Sequence, residues 1–175
     1  MGIDDQLESR ILQVVRDEFP TIDPLGGFGL HDYLHACGRG SHALLCVALF
    51  CPPLVEVDGS VLLRWSVESE SGKSRFLEYR IEKGHAAAEQ SFNFVEIPYV
   101  FGSNSDISED SFHVLAEAVA ASWRAWISSK FPGRHFDVDV LEPEETGSVV
   151  GIQFCERRRA HPSEERRDRE VGGKE

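Results

Sequence analysis

No stretch of this sequence is apolar for long enough to cross a membrane as a helix. The longest apolar run, Ala43 to Leu54, is broken by Pro52 and Pro53 and falls short of the roughly 18 residues a span needs. Met1 to Arg10 holds three acids and one base before any apolar block, which is not the pattern of a signal peptide. Cysteine is scarce. Cys37, Cys46, Cys51 and Cys155 form no C-x-x-C pair, and Cys46 lies inside the apolar run. Such cysteines are expected to be small buried thiols in a reducing, cytoplasmic setting rather than disulfide staples. Nucleotide-binding loops are missing too. Gly26-Gly27-Phe28-Gly29 fits neither G-x-x-x-x-G-K-[ST] nor G-x-G-x-x-G, and Gly40-Ser41-His42 is not the G-x-S-x-G of a nucleophile elbow. No cofactor is expected.

Basic residues are in short supply: 18 Lys and Arg face 30 Asp and Glu, a net charge of −12. The segment from Glu156 to Glu175 carries 7 bases and 6 acids, leaving 11 and 24 in the rest, a net of −13. An acidic body without clustered Lys and Arg repels nucleic-acid phosphates. It suits a basic protein partner, which its field would steer into contact. Plain solubility is the competing reason for such a charge.

What is present reads as one α+β domain. Its 175 residues, 41% of them apolar, are enough for a single core. Ile3, Leu7, Ile11, Val14 and Val15 recur at helical spacing, and Pro20 stops that helix. Residues 20–42 read as a long irregular connection. Ala43 to Cys51, apolar throughout, reads as a central strand covered on both faces. After the Asp58-Gly59 turn, Val61, Leu63, Trp65 and Val67 alternate with Leu62, Arg64 and Ser66 as a half-buried strand. A turn at Glu70 to Lys73 leads to Leu77, Tyr79 and Ile81, spaced as a third strand. Residues 84–105 stay open between strand and irregular chain. Ser108 then caps a long helix whose stripe is Phe112, Leu115, Val119, Trp123, Trp126 and Ile127. Pro132-Gly133 ends it, and two strands follow at Phe136 to Val140 and Val150 to Phe154. The expected order is α-βββ-α-ββ: a mostly antiparallel sheet of about five strands with helices packed on it. Residues 1–156 form this domain, and composition marks 157–175 as a disordered tail.

Chemistry is sparse. The richest segment is His31-Asp32-Tyr33-Leu34-His35-Ala36-Cys37, with His42 beyond it. Histidines at i and i+4 share a helical face and resemble H-E-x-x-H with Asp in place of Glu; Cys37 and His42 would complete a metal set. The glycines on both sides limit any helix here to about two turns and favour a polar loop. Asp137 and Asp139 lie two apart on a strand and so on one side of it. Glu142, Glu144 and Glu145 follow in an exposed acidic loop. Trp123 and Trp126 fall on the apolar stripe and are expected in the core.

Three pieces occur together: Pro53-Leu54-Val55-Glu56-Val57-Asp58-Gly59, Trp123, and Phe131-Pro132-Gly133-Arg134-His135-Phe136 before a strand ending in Gln153-Phe154. In these the chain resembles a loosely defined set of uncharacterised small bacterial α+β proteins. The resemblance spans about residues 43–155; it implies the order of elements and carries no activity or site residue. The resulting expectation is a non-catalytic binding module, of immunity or antitoxin type, for a basic protein. Asp137, Asp139, Glu142, Glu144 and Glu145 are its candidate contacts. A metal-dependent enzyme at His31, His35, Cys37 and His42, and an assembly subunit whose partner covers an apolar face, are the alternatives.

Overall fold

Two small antiparallel sheets, each too small to be stable alone, share one apolar core and are bridged by a buried side chain. The computed structural model describes residues 5–23, 25–102, 107–143 and 149–158. Along them run α1 (Asp5–Glu18), α2 (Leu30–Cys37), α3 (Gly40–Phe50), β1 (Leu54–Val57), β2 (Ser60–Leu63) and a 3₁₀ turn (Arg64–Ser66). Then come α4 (Glu70–Lys83), α5 (His85–Phe92), β3 (Val95–Glu96), α6 (Ile97–Phe101), α7 (Glu109–Lys130), β4 (Phe136–Leu141) and β5 (Gly151–Glu156). β1 pairs with β2, and the second sheet has the order β3-β5-β4. The α+β class and five strands are present among the described residues, but not as one five-stranded sheet.

α7 forms as its sequence dictates. The Ser108 hydroxyl accepts the N–H of Ser111, Glu109 and Asp110 sit in the positive first turn, and Phe112, Ala116, Val119, Trp123 and Ile127 make a buried stripe at helical spacing. That stripe packs on β4 and β5, where Val138 lies opposite Phe154 and Val140 opposite Ile152. β2 is buried along its whole length. Val61 and Leu63 join the main core around Trp123, while Leu62 turns the other way into a second cluster with Phe76 and Ala88. The expected half-buried strand therefore ends at Leu63. Trp65 lies in the 3₁₀ turn and is partly exposed.

The Asn93 amide joins the sheets. Its Oδ1 accepts the Leu63 N–H at 2.9 Å, and its Nδ2 donates to the carbonyls of Val61 at 3.0 Å and Phe154 at 3.2 Å. One side chain thus pairs with β2 as a neighbouring strand's backbone would and reaches β5 as well.

Two expected strands are helices. Ala43 to Phe50 falls in α3, with Cys51 as its C-cap, because an unbroken apolar run carries no period that separates strand from helix. Glu70 to Lys83 is α4. Ser69 caps it by accepting the Gly72 N–H at 3.0 Å, Phe76 faces inward, and Ile81 is exposed. The alternation at Leu77, Tyr79 and Ile81 was too short to outweigh the cap and the helix-forming Glu, Lys and Arg. Residues 84–102 resolve into α5, β3 and α6. Pairing also continues past 156: the Arg157 N–H donates to the His135 carbonyl at 2.8 Å. Residues 159–175, the rest of the expected tail, lie outside the described residues.

Asn93→Ala should destabilise the fold by about 3 kcal/mol or more, since it strands buried backbone groups on both sheets. Urea unfolding with an unchanged m-value checks this, and a loss below about 1 kcal/mol would show that the sheets do not need the amide.

Candidate functional site

Helix α3 has an unbroken apolar sequence from Ala43 to Phe50, the composition of a helix buried on all sides. Yet only Leu49 is buried. Leu44 is 76% exposed, Leu45 74% and Val47 56%. The helix stands as a ridge between two grooves. On one side Leu45 and Ala48 face Trp65, Val95, Tyr99 and Val100 across a groove of about 660 Å³ whose one charged lining residue is Glu96. On the other, Ala43 and Val47 face Leu34 and Cys37 of α2 across a second groove of about 670 Å³, with Arg39 and His42 at its rim.

The ridge is fixed at its C-terminal end. There the last carbonyls of a helix lack intrahelical partners, and α7 supplies donors. The Trp123 indole N–H donates to the Leu49 carbonyl at 2.7 Å, the Ser122 hydroxyl to that of Phe50 at 2.7 Å, and the Trp126 indole to that of Pro52 at 3.0 Å. Trp123 is wholly buried, edge-on to Phe154. Trp126 is half-buried with the Lys130 ammonium 4.4 Å from its ring centre. Both tryptophans hold α3 in place: Trp123 lies in the core as expected, whereas Trp126 is only half-buried and lies outside it.

The metal alternative is not assembled. His31 and His35 do lie on a two-turn helix, α2, where the Asp32 carboxylate accepts the Gly29 N–H at 2.9 Å. His31, His35, Cys37 and His42 are all exposed, and the Cys37 thiol donates to the Tyr33 carbonyl at 2.9 Å. Among the described residues no three His, Cys, Asp or Glu side chains converge to hold a metal ion.

The acidic candidates are scattered in their environments. Asp137 is paired with Arg157, which holds its carboxyl below the usual range by hydrogen bond and charge. Glu142 lies 3.5 Å from His113 Nδ1. Asp139 is exposed on β4 opposite Gln153. Glu144 and Glu145 fall outside the described residues.

A denser polar cluster sits where the β1–β2 turn meets α5 and the end of β5. Glu89 is 1% exposed. Its carboxylate accepts the Glu156 N–H at 2.8 Å and pairs with Arg158 at 3.0 Å. Arg134 grips Glu156 with two hydrogen bonds of 2.8 and 2.6 Å, and Arg134 and Arg158 both donate to the Gly59 carbonyl. Arg80 pairs with Asp58 across the same turn. Asp58, Glu89 and Glu156 each have a cationic partner, and these pairs tie the β1–β2 turn to the end of β5. Burial pushes the Cys155 thiol up, and the nearby Asp137, Glu89 and Asp139 charges add to this, which keeps it protonated.

The cluster has a pH signature. Burial, then repulsion from Arg158 and Arg80, depresses the His85 pKa below its ordinary 6.5. The unfolded chain therefore binds the extra proton first, and stability falls as pH drops below that value. The Arg134 hydrogen bond lowers the Glu156 pKa from 4.5, so a second loss follows at more acid pH. His85→Asn should flatten the first part of the acid limb in a series of denaturation midpoints and leave the second; an unaltered first part would refute the assignment. Comparison of the chain with protein-family models, with curated proteins and with solved structures finds no match in any of the three.

Proposed function

We propose that this chain is a non-catalytic protein-binding module that docks a basic protein partner across α3, the partner's own apolar surface covering the ridge. The observation that carries the reading is that α3 has the sequence of a fully buried helix and is exposed along most of its length. Exposed apolar side chains gathered on α3, with Trp65, Tyr99 and Val100 beside them, mark an interaction surface. Charge selects the partner. A net of −12 favours encounter with a basic surface and opposes encounter with an acidic one.

This division of labour revises the site but keeps the partner. Asp139, Glu142, Glu144 and Glu145 act at a distance in steering, with Asp137 muted by Arg157. Leu44, Leu45 and Val47 hold the complex once formed. A module that masks a basic protein in this way is of the immunity or antitoxin type. Its setting is the cytoplasm, where the four unpaired cysteines remain reduced. No helix among the described residues is long and apolar enough to cross a membrane, which fits a partner met in solution.

The test begins with capture of the partner from the native host and ends with purified components. Leu45→Glu should leave the unfolding free energy within about 0.5 kcal/mol of the parent, because the residue is exposed. It should speed dissociation at least tenfold. Replacing Glu142, Glu144 and Glu145 by Gln should slow association and flatten its dependence on salt, with dissociation little changed. An acidic partner, or one that holds Leu45→Glu as tightly as the parent, would overturn the proposal.

A further inference from the structure

Helix α1 is strongly amphipathic, with Ile11, Val14 and Val15 on one face, and yet none of its described residues is buried. Between it and α7 lies a slot of about 350 Å³. Val14 and Val15 form one wall, Val114 and Ala118 the other, and Phe50 closes the floor. The slot is open to solvent along one side and its lining is almost wholly apolar, so water in it gains few hydrogen bonds. It falls in the size range of small-molecule sites.

Two polar clamps join α1 to α7. Near the middle of α1, Arg10 pairs with Glu117 of α7. At its C-terminal end, the Glu18 carboxylate accepts the Ser108 N–H at 2.7 Å and the Ser111 hydroxyl. These polar clamps set the separation of the helices, so the apolar faces between them meet only in part. The slot's polar lining is Glu18 and Ser111 alone, both at the clamp; its walls offer water no partner.

We propose that this slot binds a small apolar molecule of the alkyl-alcohol class: a medium-length hydrocarbon body with a neutral hydrogen-bond donor at one end. The hydrocarbon occupies the space between Val14 and Ala118, and the hydroxyl donates to the Glu18 carboxylate at the mouth. A carboxylate head is disfavoured there by like charge. The site touches α3 at Phe50 and stands whether or not the docking role of that helix does.

Calorimetric titration of the whole chain with 1-hexanol, 1-heptanol and 1-octanol tests this. Affinity should rise about fourfold with each added methylene, the gain for moving one CH₂ out of water. Octanoate should bind at least tenfold more weakly than 1-octanol, and Glu18→Gln should narrow that difference. Ala118→Leu fills the slot and should cost at least tenfold in octanol affinity without lowering the melting temperature. Val14→Phe, on the more exposed wall, does the same if the first variant fails to fold. Affinity that ignores chain length, octanoate binding as tightly as octanol, or unchanged octanol binding to a folded slot-filled variant would each overturn the proposal.

Discussion

A buried amide, that of Asn93, bonds directly to both sheets of this architecture. A two-stranded ribbon is marginal in water by itself, and β1–β2 gains its permanence from having both faces of β2 covered and its free edge satisfied. Asn93 does the second of these. Because its side chain takes the place of a strand along Val61 and Leu63, β2 can sit between two apolar clusters instead of at the border of one. α5, which delivers Asn93, also delivers Glu89 to the end of β5. Glu89 on α5 and Asn93 at its C-cap, one turn apart, thus both reach the backbone of β5.

How much of this was legible follows from where polarity is periodic. α7 could be read because its cap, its acidic first turn and its stripe agree. β4 and β5 could be read because Val138, Val140, Ile152 and Phe154 alternate with polar neighbours. α3 could not: with no polar residue from Ala43 to Phe50, the period is absent and only burial is implied. That implication was itself the useful signal, since the exposed ridge is the unexpected feature of the candidate site. Asn93 was illegible for a different reason. A lone Asn near a glycine and a proline reads as loop chemistry, and nothing local tells that its partners lie 30 and 61 residues away.

The acidic composition and the apolar ridge answer different questions about an encounter. Charge of one sign spread over a body acts over a Debye length of about 8 Å at physiological salt and gives little grip. Apolar side chains act only in contact and give grip without range. The acids read from the sequence as contacts are in part already engaged within the fold, Asp137 with Arg157 and Glu142 beside His113, whereas Leu44, Leu45 and Val47 remain exposed.

The attachment of α3 to α7 also gives the protein a built-in gauge. Two indole N–H groups are bonded to carbonyls at the root of the ridge, Trp123 to Leu49 and Trp126 to Pro52. An indole's emission responds to the field and hydrogen bonding at its nitrogen, so any load that tilts α3 is transmitted to a chromophore at its base. The position of the ridge is thereby written into the intrinsic fluorescence of the chain, and occupancy of the apolar face can be followed without attaching a label to it.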